Sequence, residues 1–391
     1  MTQILADTYL DYSDILIKPK MGRNLNSRKD VNLIREYRFK HGQVRQGLGV
    51  FNANMATVGN FETAKHLLKT GMFATIHKFY TAEEIINFVE ECLDENISVD
   101  NLFISIGIKN GKEEIKKLED LTLLALKSKW HSLHLPLNIC IDAPNFYIDK
   151  AFEVLKACRE KYPESVIMCG NIASSDIIHK LLNYADILKI GIGSGAVCTT
   201  RKMTGCGTPM VSLILDCADI AHSVGGMICA DGGITEVGDI CKAFALNSDF
   251  VMIGGMFAGT DEAEGEIIEK CFQKSEYAYI IEGKDAENSI AEKTPIVPKY
   301  EYKKFKLYYG MSSTLANNKF AGGMKDYKAS EGREVLIPYT GSLDKILQDI
   351  RGGVASACTY MGSICVKDMS KCATIIKVNN TINKVFEKYE K

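Results

Sequence analysis

The most reactive side chain suggested by the sequence is a cysteine in a glycine-rich segment. Cys198 lies within residues 191–201, which read GIGSGAVCTTR. A segment this rich in glycine is typical of a loop, and a loop leaves backbone N–H groups free to stabilise a thiolate. Cys198 is therefore a candidate nucleophile. Cys206, in the same loop, is the alternative nucleophile, and an ordinary unreactive thiol is the other interpretation.

Two further glycine clusters follow apolar runs, and both suit a phosphorylated ligand. One is Asp231-Gly232-Gly233, and the other is Gly254-Gly255-Met256. Glycine loops present backbone N–H groups to phosphate oxygens, while Asp231 suits the hydroxyl groups of a ribose. Each cluster alone is also explained by a tight turn. Their occurrence after successive runs favours a nucleotide phosphate site.

Short apolar runs alternate with amphipathic stretches, and this alternation predicts the elements that carry these loops. Helical patterns lie between the runs: Ala82–Asn96, capped by Thr81 with Glu84; Ile148–Tyr162; Asp176–Tyr184; Met210–Ser223, opened by Pro209; and Ser342–Ile350. Nearly continuous apolar runs are typical of parallel strands buried on both faces. The runs are Val50–Met55, Met72–Ile76, Leu102–Ile108, Asn138–Asp142, Val166–Asn171, Ile187–Gly193, Met227–Asp231 and Phe250–Gly255.

Eight strands alternating with helices predict an α/β fold of the (β/α)8 TIM-barrel class, as one catalytic domain over residues 1–391. A doubly wound open sheet is the alternative, and eight strands favour closure into a barrel. The three glycine clusters then follow strands six, seven and eight, at the carboxyl ends where barrel enzymes place their chemistry. Residues 274–303 show no sustained periodicity, so we expect an inserted surface loop, either mobile or folded as a lid.

Composition excludes several classes of protein. The net charge of −2 does not favour binding to nucleic acid or to an anionic membrane. Thirteen cysteines, an odd number without a Cys-x-x-Cys pair, argue against a disulfide framework and favour a reducing compartment. The sequence contains neither a signal-peptide pattern nor an apolar stretch long enough to span a bilayer. We therefore expect a cytoplasmic protein.

Longer motifs resemble the IMP dehydrogenase/GMP reductase family over nearly the whole chain. The cysteine loop, residues 191–205, is similar to the family's catalytic loop. The other matching segments are Tyr12–Pro19, Asn54–Val58, His77-Lys78, Ala230–Gly233, Phe250–Met256 and Tyr309–Ser313.

The resemblance is stronger to the reductase branch than to the dehydrogenase branch. Dehydrogenases of the family usually carry a pair of CBS modules after the second strand, whereas one helix separates His77 from Leu102 here. They also carry a long flap with an Arg-Tyr pair, which the short span from Gly310 to Gly332 lacks. The resemblance implies that GMP and NADPH give IMP, ammonia and NADP⁺. A dehydrogenase without CBS modules and a catalytically silent nucleotide-binding barrel are the alternatives.

The resemblance also assigns residues to roles. Cys198 corresponds to the nucleophile, and Thr200 with Glu331 to the pair that relays a proton. The GMP contacts correspond to Asp231, Gly232, Gly233, Gly254, Gly255, Gly310, Met311, Ser312, Lys328, Ala329, Ser330 and Gly332. The NADPH contacts correspond to Ser27, Arg28, Lys78, Asp142, Ile192, Gly193, Ser356, Ala357, Cys358 and Thr359, with Arg28 and Lys78 suited to the extra phosphate. A monovalent cation, K⁺, corresponds to Gly193, Gly195, Cys198 and Arg201. The relatives usually form homotetramers.

Three positions depart from the family pattern. Ala196 replaces a usual Ser, so one hydroxyl contact to phosphate is expected to be missing. Ala56 replaces a usual Asp. Lys328 replaces a usual Arg, which keeps the charge but not the planar hydrogen-bonding fork.

Overall fold

A computed structural model describes residues 4–5, 7–22, 25–133, 136–274, 299–326 and 329–379. The strands of these residues are β1 (Ile15–Ile17), β2 (Arg35–Arg38), β3 (Val44–Gly47), β4 (Val50–Asn52), β5 (Ala74–Ile76), β6 (Leu102–Ile106), β7 (Asn138–Asp142), β8 (Val166–Ile172), β9 (Ile187–Ile190), β10 (Met227–Asp231), β11 (Phe250–Ile253), β12 (Ile267–Lys274), β13 (Lys299–Tyr309), β14 (Glu334–Pro338) and β15 (Ile375–Lys377). Eight of them are parallel and form one sheet in the order β4-β11-β10-β9-β8-β7-β6-β5.

Helices follow the barrel strands in alternation, so the predicted (β/α)8 barrel is confirmed and the open-sheet alternative is wrong. They are α1 (Phe61–Lys69), α2 (Ala82–Asp94), α3 (Gly111–Ala125), α4 (Asp149–Lys161), α5 (Ile178–Leu181), α6 (Thr200–Thr204), α7 (Met210–Ser223), α8 (Val237–Ala245), α9 (Gly255–Ala258), α10 (Thr314–Phe320), α11 (Leu343–Met361) and α12 (Met369–Cys372). β5 passes through α2 directly to β6, so no CBS module interrupts the barrel.

The barrel closes between its first and last strands in the sheet order. The backbone N–H of Phe73 donates to the carbonyl of Val50 at 3.0 Å. The side-chain amide of Asn52 also bridges to Thr75, accepting from its backbone N–H at 2.8 Å and donating to its carbonyl at 2.8 Å. These bonds satisfy polar groups that would otherwise be orphaned inside an apolar core. The closed sheet therefore brings the carboxyl ends of all eight strands to one face.

The amino-terminal face of the barrel is covered by the antiparallel hairpin β2–β3, which the sequence analysis did not predict. Arg35 donates to Asp249 at 2.6 Å, and the His41 ring lies 2.7 Å from Asp186. Tyr37 stacks on Phe250, with ring centroids 4.4 Å apart. The opposite face stays open, and barrel enzymes carry their catalytic residues at that face.

A second antiparallel sheet, β12-β13-β14, stands beside the barrel and corrects the prediction for residues 274–303. Lys274 and residues 299–303 belong to the strands, because β12 pairs with β13 from Ile267↔Lys306 to Lys274↔Lys299. Much of this ribbon is exposed to solvent, so its sequence, which reads IIEKCFQK in β12, has no sustained apolar periodicity. Residues 275–298 lie outside the described residues.

Two helix predictions also needed correction. The helix expected over 176–184 covers only Ile178–Leu181, because the Ser174 hydroxyl bonds the Asp176 carboxylate in a turn ahead of it. The helix expected over 342–350 starts at its cap Ser342 but continues to Met361, since Val354 and Met361 extend its buried face. Among the described residues, no helix has the length and apolarity needed to cross a membrane.

Candidate active site

A cavity of about 500 Å³ opens at the carboxyl ends of the barrel strands. Its walls come from the loop after β9, the loops after β10 and β11, and the segment that follows β13. The predicted site residues on its walls are Lys78, Asp142, Ile192, Gly193, Gly195, Cys198, Thr200, Asp231, Gly232, Gly233, Gly254, Gly255, Gly310, Met311, Ser312 and Glu331. Segments distant in sequence are thus brought to one place.

The three predicted catalytic side chains form a continuous chain of hydrogen bonds. The Cys198 Sγ lies 3.2 Å from the Thr200 Oγ1, and that hydroxyl donates to the Glu331 carboxylate at 2.7 Å. A threonine hydroxyl has one proton, and Thr200 uses that proton in its hydrogen bond to Glu331. The thiol of Cys198 is therefore the donor toward Thr200, so a proton path leads from sulfur to carboxylate. Cys206 is exposed and is absent from the cavity walls.

Glu331 is held beside the cysteine loop by backbone pairing. The Thr199 N–H donates to the Glu331 carbonyl at 2.8 Å, and the Arg333 N–H donates to the Val197 carbonyl at 2.9 Å. Cys198 and Gly332 form an isolated antiparallel bridge. Two loops separated by about 130 residues in sequence therefore meet as a short two-stranded contact, which fixes the carboxylate relative to the thiol.

Asp231 ends β10 on the cavity wall, with one of its two carboxylate oxygens already occupied. Its Oδ2 accepts from the Asn171 amide at 2.8 Å and from the Lys189 ammonium at 3.0 Å. Gly232 follows with φ 93°, and a Cβ there would lie 2.5 Å from the Ser194 Oγ, so only glycine fits between the two loops. An aspartate held in this way can accept hydrogen bonds from ribose hydroxyls through its Oδ1.

Seven of the predicted substrate residues follow β13 in the sequence: Gly310, Met311, Ser312, Lys328, Ala329, Ser330 and Gly332. Met311 touches one departure from the family pattern, since the backbone N–H of Ala56 lies 3.4 Å from its sulfur. Ser330 does not line the cavity, and its hydroxyl donates to the Gly332 carbonyl at 2.9 Å. Ala329 and Gly332, on either side of the Ser330-Glu331 pair, do not line the cavity either. Lys328 lies outside the described residues.

On the opposite wall, Lys78 and Asp142 form an ion pair at 3.0 Å. The neighbouring carboxylate raises the pKa of the Lys78 ammonium. Burial alone would raise the pKa of the Asp142 carboxyl, but Lys78 and Lys189 outweigh it and hold this pKa well below its usual range. Both groups are therefore charged at neutral pH. Lys78 is neutralised by Asp142, which leaves it less suited to the extra phosphate than the sequence analysis expected.

Six residues predicted to contact the cofactor lie elsewhere. Among the described residues that line the cavity, none is Ser27, Arg28, Ser356, Ala357, Cys358 or Thr359. The turn Arg28–Asp30 packs against α11, which carries residues 356–359 and lies against α8 and α1 on the outside of the barrel. The Cys358 side chain is fully buried there. The structure thus separates the predicted cofactor residues into two sets, and Arg28 does not share a cavity with Lys78.

The loop predicted to hold a cation offers carbonyl oxygens but not the Arg201 side chain. The Arg201 guanidinium donates to the Thr208 carbonyl at 2.7 Å and lies 3.5 Å from Asp11. The Gly195 carbonyl accepts from the Cys198 N–H at 3.0 Å and keeps a second lone pair. Neutral carbonyl oxygens are the donors that K⁺ prefers in proteins. The carbonyl oxygens of Gly193, Gly195 and Cys198 therefore have the chemistry that such an ion requires.

Several side chains on the cavity walls were not predicted from the sequence, notably Asn171, Lys189 and Tyr308. Lys189 carried a usable signal, because a lysine interrupts the otherwise apolar run 187–193. Tyr308 carried none, since it lies in an aromatic strand; its hydroxyl lies 3.4 Å from the Met55 sulfur, and burial raises its pKa.

The chain matches a family model and several known proteins over nearly its full length. The model of the "IMP dehydrogenase / GMP reductase domain" matches residues 9–282 and 288–384. The chain is 37% identical over 388 residues to human GMP reductase 2, covering 99% of each protein. It is 38% identical over 392 residues to GMP reductase of Caenorhabditis elegans, covering 100% of this chain and 98% of the relative. Human GMP reductase 1 is 38% identical over 391 residues, covering 99% and 100%.

Proposed function

This chain belongs to the IMP dehydrogenase/GMP reductase family, and on that premise we propose that it is a GMP reductase, an NADPH-dependent oxidoreductase. The reaction converts GMP and NADPH to IMP, ammonia and NADP⁺. The observation that carries the proposal is the chain Cys198–Thr200–Glu331, with distances of 3.2 and 2.7 Å. A thiol, a hydroxyl and a carboxylate in series suit deamination, because the departing amine needs both a covalent partner and a proton.

The side chains perform the deamination in a fixed order. Cys198 passes its proton through Thr200 to Glu331 and adds as a thiolate to carbon 2 of guanine. The proton on Glu331 returns through Thr200 to the exocyclic nitrogen, and the carbon–nitrogen bond breaks to release ammonia. A thioimidate on Cys198 remains. After reduction at the same carbon the carbon–sulfur bond breaks, which restores the thiolate and yields IMP.

The walls of the cavity divide between the two ligands. The loops with Asp231, Gly232 and Gly254 take the ribose and phosphate of GMP. Lys78 and Asp142, with Ile192 and Gly193, take the nicotinamide half of NADPH. When bound there, NADPH supplies the hydride. K⁺ bound by the carbonyls of Gly193, Gly195 and Cys198 would hold the catalytic loop in shape.

In a homotetramer, the two separate sets of cofactor residues could meet at one site. A neighbouring barrel can present Ser27, Arg28, Ser356, Ala357 and Thr359 to the open face of the next subunit, whereas the buried Cys358 can only support them from within its own chain. All 13 cysteines are free, which suits a reducing compartment, and we infer a cytoplasmic location.

The two branches of the family are separated by one pair of assays. We expect GMP with NADPH to give ammonia and NADP⁺ in equal amounts, and IMP with NAD⁺ to give no xanthine nucleotide. Product formation only in the second assay would identify a dehydrogenase. Binding of GMP without turnover in either assay would identify a silent nucleotide-binding barrel.

A further inference from the structure

We propose that Lys189, which has no role in the mechanism above, is a positioning residue that holds the substrate-side and cofactor-side carboxylates in one arrangement. The inference rests on the proposed function, since it takes Asp231 as the ribose acceptor and Asp142 as a cofactor residue. Lys189 points from β9 into the barrel, and its side chain is only 4% exposed.

The Lys189 ammonium lies between the two carboxylates. Its Nζ is 3.0 Å from Asp231 and 3.5 Å from Asp142. Asp142 is in turn 3.0 Å from Lys78. Two lysines and two aspartates thus alternate from the ribose side of the cavity to the cofactor side, and their charges cancel. Lys189 is the member that joins the two sides.

The neighbouring strand leaves space for this lysine. Gly170 on β8 lies beside it, and a Cβ at that position would stand 2.4 Å from the Lys189 carbonyl oxygen and 2.5 Å from its Cβ. Asn171, the next residue, donates to the same Asp231 oxygen that Lys189 binds. Asp231 therefore has its Oδ2 fixed by two donors from adjacent strands, and we infer that Oδ1 is the oxygen offered to the ligand.

The charge of Lys189 is secure at neutral pH. Burial alone would lower the pKa of its ammonium, but Asp231 and Asp142 outweigh burial and raise this pKa above the ordinary lysine value. A fixed positive charge between two ligand-facing carboxylates predicts that one substitution weakens binding of both ligands. A residue that served only one carboxylate would affect only one ligand.

The test uses Lys189→Met, which keeps length and removes charge, in the full-length protein. We expect the dissociation constants of GMP alone and of NADPH alone, measured by calorimetry, each to rise about tenfold or more, within the range for lost charge-assisted contacts. Lys242→Met is the matched control, because Lys242 is also buried and ion-paired, to Asp239 at 3.1 Å, but does not line the cavity. It should lower the Tm and leave both constants unchanged.

A double variant separates positioning from simple charge balance. Lys189→Met with Asp142→Asn keeps the network neutral, so it should recover Tm relative to Lys189→Met. We expect its GMP affinity to stay low, because Asp231 still lacks its donor. Recovery of GMP affinity together with the Tm would overturn the proposal, as would unchanged binding of either ligand in Lys189→Met. If Lys189→Met does not fold, the GMP affinity of the double variant decides alone. Absence of GMP turnover in the wild type would instead contradict the proposed function.

Discussion

At the scale of single residues, the position of Cys198 in the hydrogen-bonded chain distinguishes it from the cysteine eight residues later. Cys198 lines the cavity beside Thr200, whereas Cys206 is exposed outside it. We expect Cys198→Ala to abolish ammonia release but to keep the GMP dissociation constant within about tenfold, because phosphate and ribose contacts lie in other loops. Cys206→Ala is the control and should retain full turnover. If Cys206→Ala lost turnover and Cys198→Ala did not, the nucleophile would be Cys206.

Glu331 should matter more for deamination than for hydride transfer. A threonine hydroxyl is too weakly acidic to protonate an amine at neutral pH, so the proton must come from the carboxyl group 2.7 Å away. Glu331→Gln keeps size and hydrogen bonding but cannot relay a proton. We expect it to lower the steady-state reductase rate by about 10²-fold, the usual loss of general acid–base help.

The two half-reactions of the Gln variant test this assignment separately. Hydride exchange between IMP and NADP⁺ leaves the carbon–nitrogen bond intact and should fall much less than ammonia release. Equal losses in the two reactions would show that Glu331 only positions the base.

Which site residues could be predicted from sequence depended on whether they stand in a motif. Cys198 and Asp231 follow apolar runs within glycine clusters, so spacing alone singled them out. The relation of Thr200 to Glu331 required the family resemblance, because no local pattern connects residues 131 positions apart. Lys189 and Asn171 lie inside strands. The lysine stands out within an apolar run, but only barrel closure shows that both side chains face the ligand cavity.

The ring of His222 lies 2.7 Å from Asp249 at the amino-terminal face of the barrel. The hydrogen bond to Asp249 raises the pKa of His222. A histidine with a raised pKa in the folded state contributes stability below its unfolded pKa of about 6.5, and this is lost as the pH rises through the folded value. We expect His222→Gln to lower the Tm by about 2 °C more at pH 5.5 than at pH 8.5. His179→Gln, at an exposed position on α5, is the control; an equal loss at both pH values would contradict the assignment.

At the scale of elements, the eight barrel strands were predictable because burial on both faces makes each of them continuously apolar. Every predicted run contains the observed strand or most of it, as at Met227–Asp231. The hairpin β2–β3 was not predictable, since His41 and Arg35 find their partners, Asp186 and Asp249, just before β9 and β11, far along the chain. The ribbon β12–β13 was missed because solvent covers much of it.

Because β12 and β13 are paired, only residues 275–298 of the insertion should be dispensable. The pairing of β12 with β13 extends to Lys274↔Lys299, so a linker of about four Gly and Ser residues can replace 275–298 as a hairpin loop. We expect the apparent Tm to change by no more than about 3 °C and GMP turnover to be retained, because β13 still delivers Tyr308 and Gly310 to the cavity. A collapse of soluble yield, or dissociation of the oligomer, would show that these residues pack in the assembly.

For the protein as a whole, the cavity of one barrel contains the catalytic chain but only four of the ten residues predicted to contact the cofactor. Lys78 and Asp142 line the cavity, whereas Arg28 and residues 356–359 lie at α11. A closed, symmetric oligomer can bring the α11 surface of one subunit to the cavity of the next. Each active site would then be shared between two chains.

Shared sites predict complementation between two inactive variants. Cys198→Ala removes the nucleophile but keeps Arg28. Arg28→Glu removes the proposed cofactor contact but keeps Cys198. Co-expression of the two with different affinity tags should give hybrid oligomers with about a quarter of wild-type activity, because random pairing of two variants leaves that fraction of sites with both residues intact. Oligomers of each variant alone, purified in parallel, are the controls. If each barrel binds NADPH by itself, hybrids gain nothing over the average of the two variants, and Arg28 and residues 356–359 would then have no part in the site.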